Sequence, residues 1–333
     1  MNILLIHPKF LNETHSPRFP LGLGYIAAVL RDTGHTVTVI DLNAEDKSEG
    51  KLRKRIKTGQ FDIVGLTAII TQFKQVKYLS SLIKDVSKAK IILGGGLANA
   101  VPELLLKETR VDIIVSGEGE KTVVELARRI ETRQSIKDLN GVAYLHNGNI
   151  IKAPPQKFIE DISSLPFPAW DLFPMERYFR RAELGFPKRR MSVISSRGCP
   201  YCCSFCFHGV FGHRYRSRTP ENMVAEIELL SKRYGVRGIS FEDDTLILNW
   251  RRIYEICDLF LRKNLRLMWT CNGRTNLINK DLLDKMRRAG CVTIAYGIES
   301  GSQVLLDRIN KQVKTINEEY INEAFTVDNN WGK

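Results

Sequence analysis

Cys199, Cys203 and Cys206 stand in the stretch Ser196-Arg-Gly-Cys-Pro-Tyr-Cys-Cys-Ser-Phe-Cys206, spaced x3 then x2 on a short loop led by a glycine. Three thiolates so spaced can hold three corners of a cubane iron-sulfur cluster and leave the fourth iron open to a substrate or cofactor. The same stretch also reads as two overlapping C-x2-C pairs, Cys199/Cys202 and Cys203/Cys206, which is zinc-site spacing. Structural zinc pairs normally come from two separated segments, and consecutive thiols on one loop wrap a tetrahedral ion poorly. The cluster is therefore the favoured reading, with zinc as its rival. Cys202 is then the odd residue, either a spectator or a competitor for iron.

All 7 cysteines lie at or beyond Cys199, and four of them fall between Cys199 and Cys206, which argues for metal or redox chemistry over a disulfide framework. Cys257, Cys271 and Cys291 are scattered among apolar residues and read as core.

Elements must be found to carry this loop. Over the first part of the chain short β-branched runs alternate with amphipathic stretches, the pattern of a parallel sheet with crossover helices. Strands are expected at Ile3–His7, Thr36–Asp41, Ile63–Thr67, Ile91–Gly94 and Ile113–Ser116. Helices are expected at Gly22–Thr33, Lys51–Lys57, Thr71–Ser87, Val101–Thr109 and Lys121–Ile130. The fold class is α/β, a flavodoxin-like, doubly wound first domain over residues 1–135. A hairpin turning at Asn147-Gly148 follows. Pro154, Pro155, Pro166, Pro168, Pro174 and Pro187, half of the 12 prolines, then block regular structure, so residues 136–190 read as a hairpin and linker.

From Met191 the alternation resumes, with strands at Ser192–Ser196, Gly238–Glu242, Arg266–Thr270 and Val292–Gly297. Helices fit Pro220–Tyr234, Trp250–Lys263, Lys280–Ala289 and Ser302–Arg308, giving four βα units in residues 191–333. In parallel sheets ligands sit beyond the carboxyl ends of strands. The cysteine loop follows the first of these strands, Glu242, Asp243 and Asp244 the second, Asn272 and Arg274 the third, Glu299 and Ser300 the fourth. Any one of them alone reads as a helix cap; agreement at four strand ends points to a ligand. Acidic groups there suit an amino group and ribose hydroxyls, and Arg274 suits a carboxylate.

The cysteine loop, Phe241-Glu-Asp-Asp-Thr245 and Gly297-Ile-Glu-Ser-Gly301 together resemble the cobalamin-binding branch of the radical S-adenosylmethionine superfamily. The resemblance implies a cobalamin-binding Rossmann-like domain ahead of a partial (β/α) barrel of six units; with four units read, the barrel is expected to be incomplete, a truncated frame or fragment. It implies a 4Fe-4S cluster on Cys199, Cys203 and Cys206, and S-adenosylmethionine held by Phe205, Glu242, Asp243, Asp244, Asn272, Arg274, Glu299 and Ser300. It implies cobalamin near Pro8, Lys9 and Phe10, near Leu21, Gly22 and Gly24, near Thr67 and Ala68, near Gly94, Gly95 and Gly96, and near Gly117, Glu118, Gly119 and Glu120. Glycines at strand ends let backbone approach a large flat ring, although tight βα turns need glycine anyway. The Asp-x-His-x-x-Gly motif that gives cobalt a histidine is missing. Glu13-Thr-His15-Ser-Pro-Arg18 comes nearest, so no protein imidazole on cobalt is expected, and His7 and His35 read as structural.

The chemistry implied is reductive splitting of S-adenosylmethionine to methionine and a 5′-deoxyadenosyl radical, hydrogen abstraction from an unactivated carbon, and methyl transfer from methylcobalamin, re-methylated by a second S-adenosylmethionine. Cyclases and rearranging enzymes of the same branch are the alternative, and a non-catalytic cobalamin or redox sensor, or an inactive fragment, is a further one. The methylthiotransferases of tRNA hold a second cluster on three N-terminal cysteines, and residues 1–198 contain no cysteine. No residue is assigned as catalytic.

The net charge of +13 from 50 basic and 37 acidic residues is spread over many helices and does not point to nucleic acid; only Arg177 to Arg190, with Arg180, Arg181, Lys188 and Arg189, is dense. A solvated surface, or an anionic cofactor tail or substrate, accounts for that run. No run is long and apolar enough to span a bilayer and no signal peptide is read, so the expected setting is cytoplasmic. The expected partners are a small-molecule or lipid-like substrate and an electron donor such as flavodoxin or ferredoxin.

Overall fold

Apolar residues at successive positions of the first strands face both ways and are buried both ways, which is what a sheet covered on both faces requires. In β1 (Asn2–His7) Leu4 and Ile6 join a core with Val64, Leu66, Ile91 and Leu93, while Ile3 and Leu5 on the opposite face are equally buried. The computed structural model describes residues 1–10, 17–45, 48–179 and 187–314. His15, Arg180, Arg181 and the stretch from Thr326 to Lys333 lie outside the described residues.

The chain forms two compact units, one of Met1–Ser192 with Gly209–Phe211, the other of Val193–His208 with the chain from Gly212 onward. In the first, β1 is followed by α1 (Leu21–Asp32), β2 (Thr36–Asp41), α2 (Glu49–Thr58), β3 (Ile63–Thr67), α3 (Phe73–Val86), β4 (Lys90–Gly94), α4 (Gly96–Ala100), α5 (Pro102–Glu108), β5 (Ile113–Val115), α6 (Gly119–Glu131), β6 (Val142–His146) and β7 (Asn149–Lys152). The sheet order is β2-β1-β3-β4-β5-β6-β7. The five strands β1 to β5 are parallel in the flavodoxin-like order, with the topological switch between β1 and β3. The hairpin, set apart from the first domain in the sequence reading, extends this sheet: Val115 pairs with Val142 antiparallel, and Asn147 and Gly148 turn with φ of 51° and 77°. The helix expected over Val101–Thr109 is α5, and the short α4 ahead of it, not read in the sequence, stops at Ala100 because Pro102 has no N–H to continue it and instead opens α5.

β8 (Arg190–Val193) leads into the second unit, which continues with β9 (Ser196–Arg197), β10 (Arg216–Ser217), α7 (Pro220–Tyr234), β11 (Gly238–Phe241), α8 (Trp250–Arg262), β12 (Met268–Gly273), α9 (Lys280–Arg288), β13 (Cys291–Tyr296) and α10 (Gln303–Arg308). Its main sheet runs β13-β12-β11-β8, with β11, β12 and β13 parallel. The helices are set by side-chain caps: Thr219, Asn249 and Asn279 accept from Asn222 N, Arg252 N and Leu282 N, and Gly235 closes α7 in the left-handed region. Trp269, 1% exposed, anchors the core against Phe241 and Phe260. The single strand expected over Ser192–Ser196 is interrupted, because the Ser195 N–H bonds to Asp243 Oδ2 at 3.1 Å instead of to a neighbouring strand.

Candidate functional site

The cysteine loop leaves β9 through Gly198, whose φ of 81° favours glycine, and Cys199 N then donates to Gly212 O. Past the turn the loop is fastened to the segment after α10: Ser204 N donates to Ile309 O at 3.0 Å and Asn310 Nδ2 to Cys202 O at 3.0 Å. Cys199 and Cys203 are buried, whereas Cys206 and Cys202 are exposed. Cys202 Sγ lies 3.6 Å from His213 Nδ1. Partial desolvation raises the Cys206 thiol pKa, with Cys203 and Cys199 adding to it and Lys311 opposing. Among the described residues no three His, Cys, Asp or Glu side chains form a group around a single ion.

Behind the loop, Asp243 is 1% exposed and both its oxygens are engaged, Oδ1 by the hydroxyls of Ser195 at 2.7 Å and of Ser196, Oδ2 by Ser195 N. Expected among the ligand-binding acids, it ties the start of the cysteine loop to the end of β11. Burial pushes its carboxyl up, against the charge of Arg252 and the serine hydroxyls. Glu242 and Asp244 flank it and are exposed. Desolvation and the Asp243 carboxylate raise Asp244, with His208 opposing.

Arg274 is likewise placed otherwise than expected. Its guanidinium stacks 3.5 Å from the centroid of Tyr201, Nη1 lies 3.7 Å from Cys203 Sγ, and Nη2 donates to Lys311 O. It grips the cysteine loop, while its buried Nε has no hydrogen-bond partner among the described residues. Asn272 falls inside β12, paired with Ala295 and exposed, because that strand starts at Met268 and so ends later than expected. After β13, Glu299 adopts φ of 66° and meets Lys311 Nζ at 3.0 Å; a Cβ on Gly297 would stand 2.6 Å from Glu299 Oε1, so only glycine leaves room for this pair as it stands. Ser300 Oγ accepts from Ser302 N, turning the chain toward α10. Phe205, 52% exposed, lies under Lys311 Nζ at 5.5 Å from its ring centroid. Lys311 was missed in the sequence, where one lysine among 50 basic residues carries no signal.

In the first unit, Pro8–Phe10, Thr67 with Ala68, Gly94–Gly96 and Gly117–Glu120 all lie at or just past the carboxyl ends of parallel strands, β1, β3, β4 and β5. Gly95 holds φ of 88° with Thr67 Oγ1 and Ala68 O packed where a Cβ would stand; Gly117, with φ of 77°, donates its N–H to Asn99 Oδ1 at 2.7 Å. Leu21 opens α1, and a Cβ at Gly22 would meet no atom, leaving that helix end open. Gly24, Glu118 and Glu120 face inward instead. Gly24 is a packing glycine, with Phe19 and Pro168 each 2.9 Å from where a Cβ would be, and Glu118 is 4% exposed with Oε2 accepting from Ile159 N at 2.7 Å. Glu120 is buried too. Lys9 is exposed, and Phe10 packs edge-on to His7. Asn43 and Gln72, not singled out in the sequence, fix the β1 end by donating to Pro8 O at 2.9 and 2.6 Å.

Comparison with known proteins bears on both units. Residues 11–127 match the B12 binding domain and residues 193–322 match the radical SAM superfamily. An uncharacterized methyltransferase of Pyrococcus horikoshii is 34% identical over 94% of this chain and 68% of its own length. The anaerobic magnesium-protoporphyrin IX monomethyl ester cyclase of Rubrivivax gelatinosus is 30% identical over 94% of this chain and 58% of its own length. Among solved structures, the radical S-adenosylmethionine methyltransferase TsrM from Kitasatospora setae, with cobalamin and a 4Fe-4S cluster bound, superposes with a TM-score of 0.79 at 20% identity, over 97% of this chain and 63% of that one. The cobalamin-dependent S-adenosylmethionine radical enzyme OxsB, with aqua-cobalamin and S-adenosylmethionine bound, gives 0.80 at 20% identity, over 97% of this chain and 47% of that one. The chain thus spans about half to two thirds of the proteins it resembles. A B12 binding domain followed by a radical SAM domain, together with a relative at 34% identity, shows that the chain belongs to the B12-binding branch of the radical S-adenosylmethionine superfamily.

Proposed function

We propose that the protein is a cobalamin-dependent radical S-adenosylmethionine methyltransferase acting on an unactivated carbon of a small-molecule or lipid-like substrate. The observation that carries this is the pairing of the two family matches with a cysteine loop fastened at one end of a parallel sheet. Cys199, Cys203 and Cys206 are the residues that would hold the 4Fe-4S cluster. A reduced cluster supplies the electron that splits the sulfonium of S-adenosylmethionine, and cobalamin supplies a methyl carrier.

Around the cluster loop the chain's own residues bind and orient. Exposed Glu242 and Asp244 accept from the amino group and ribose hydroxyls of S-adenosylmethionine, Asn272 and Ser300 add polar contacts, and Phe205 offers an apolar face. The Lys311–Glu299 pair places one charge of each sign next to that face. In the first unit the strand ends at Pro8, Thr67, Gly94–Gly96 and Gly117 present backbone to a large ring, with no histidine ligand required of the described residues. The electron donor is a small low-potential carrier of the flavodoxin or ferredoxin kind. Seven free cysteines suit the reducing cytoplasm, and no described helix is long and apolar enough to cross a membrane.

Cyclisation is the second reading, favoured by the 30% identity to the magnesium-protoporphyrin cyclase of Rubrivivax gelatinosus. Anaerobic reconstitution with iron, sulfide and cobalamin, followed by reductant and S-adenosylmethionine, tests both. Methyl transfer yields S-adenosylhomocysteine in addition to 5′-deoxyadenosine, whereas cyclisation yields no S-adenosylhomocysteine. Cobalamin binding without 5′-deoxyadenosine would establish a sensor or inactive protein, and zinc without iron or sulfide a structural metal site.

A further inference from the structure

Arg274 is 6% exposed, and among the described residues it has no carboxylate partner. A buried guanidinium without a counter-ion is costly. What it touches instead is a sulfur: Nη1 stands 3.7 Å from Sγ of Cys203, itself 6% exposed. Its orientation is fixed from two other directions, by the face of Tyr201 at 3.5 Å and by the Lys311 carbonyl that accepts from Nη2. The planar fork therefore cannot swing away from the thiol without losing both contacts.

Resting on the proposal that Cys203 is a cluster ligand, we infer that Arg274 is a positioning residue that sets the cluster's reduction potential, by donating a charge-assisted hydrogen bond to the Cys203 thiolate. Hydrogen bonds to ligating sulfur and local charge tune the potentials of such clusters. One-electron reduction adds negative charge to iron and sulfur, so a fixed cation at the sulfur favours the reduced state. The low dielectric around two buried groups keeps that effect from being screened. Removing the donor lowers the potential; keeping the charge but losing the fork lowers it less. Lys311 and Glu299 nearby form a pair of opposite charges and leave Arg274 as the unopposed cation.

The test is an EPR-monitored redox titration of anaerobically reconstituted protein, without S-adenosylmethionine, comparing wild type with Arg274→Gln, Arg274→Lys and a remote control, Arg262→Gln, at the exposed end of α8. Iron and sulfide per chain are measured on every sample. The expected result is a reduction equilibrium constant about tenfold lower in Arg274→Gln, a 59 mV drop for one electron, a smaller drop in Arg274→Lys, and none in Arg262→Gln. Full cluster loading with the constant within twofold of wild type in both Arg274 variants overturns the inference. Loss of the cluster from both variants also overturns it, showing a strut of the loop and not a determinant of potential. If Arg274→Gln alone loses the cluster, Arg274→Lys decides by the same criterion. Wild type that binds no iron and sulfide overturns the cluster reading itself, which sets that failure apart from the others.

Discussion

Asp243 accepts a 2.7 Å hydrogen bond from the hydroxyl of Ser195, so a residue two places past β11 holds the backbone from which the cysteine loop departs. The same carboxylate takes Ser195 N and the Ser196 hydroxyl, three donors in a site with 1% exposure. Buried donors left without an acceptor cost about 1–3 kcal/mol each. Asp243→Ala is expected to lower the stability of the second unit by about 2 kcal/mol, with Asp243→Asn milder because it keeps one acceptor oxygen. Urea unfolding followed by the fluorescence of buried Trp269 measures this, and iron and sulfide retained after reconstitution should fall in parallel. An Asp243→Ala protein as stable as wild type would show that the serines find other acceptors.

The four adjacent thiols separate by environment. Cys202 is exposed and faces His213, off the group formed by Cys203, Arg274 and Tyr201. Alanine at Cys199, Cys203 or Cys206 is expected to abolish the brown colour and the EPR signal of the reduced cluster, whereas Cys202→Ala should retain both at wild-type level. Iron and sulfide analysis of the four variants decides it. Loss of the cluster in Cys202→Ala together with retention in Cys203→Ala would exchange their roles.

The sequence made the strand ends legible because a doubly wound sheet needs apolar runs, and those runs end at Thr67 and Asp41, where both strands stop. The cysteine spacing was equally visible, since it is local. Asp243, Arg274 and Glu118 were not legible as inward-facing residues, because the period of a strand says nothing of a residue one to three places beyond it. Only the tertiary partners Ser195, Cys203 and Ile159 decide which way those side chains turn. The later start of β12, at Met268 where Arg266 was expected, was hidden for a related reason. Leu265 and Leu267 are apolar enough to read as strand, yet Leu267 N donates to Leu265 O in a tight turn before the ladder begins.

Gly95 is where backbone conformation and proposed ligand binding coincide. Its φ of 88° disfavours any side chain, and a Cβ would lie 2.9 Å from the carbonyl oxygen of Ala68 and 2.8 Å from Thr67 Oγ1. Backbone cannot yield as a flexible side-chain tip does. Gly95→Ala is expected to cost about 1–3 kcal/mol and to displace the β3 and β4 ends together. Thermal unfolding should show the loss, and titration with hydroxocobalamin should show at least tenfold weaker binding. Gly50→Ala, in α2 where a Cβ meets nothing, serves as the folded control. Unchanged cobalamin affinity in a destabilised Gly95→Ala would detach this turn from the ring.

Asp41 gives the first unit an acid limit. Burial alone would raise its carboxyl pKa, but the hydrogen bond and charge of His7, the Asn43 N–H and the Tyr178 hydroxyl outweigh it and hold it below the ordinary value. The contacts are short: 3.1 Å to His7 Nδ1, 2.9 Å to Asn43 N and 2.7 Å to Tyr178 Oη. Burial, and then the Asp41 charge, keep the Tyr178 phenol protonated, so it remains a donor. A carboxyl whose folded pKa is depressed contributes stability that is fully present above its unfolded value of about 3.9 and is lost as pH falls through the lower folded value. Asp41→Asn is therefore expected to be less stable than wild type near neutral pH by about 2 kcal/mol, as hydrogen bonds to a charged group are removed. That difference should shrink as the medium is acidified below pH of about 4. Urea unfolding at a series of pH values measures the two curves, and curves that stay parallel into acid would show that Asp41 is not the titrating group.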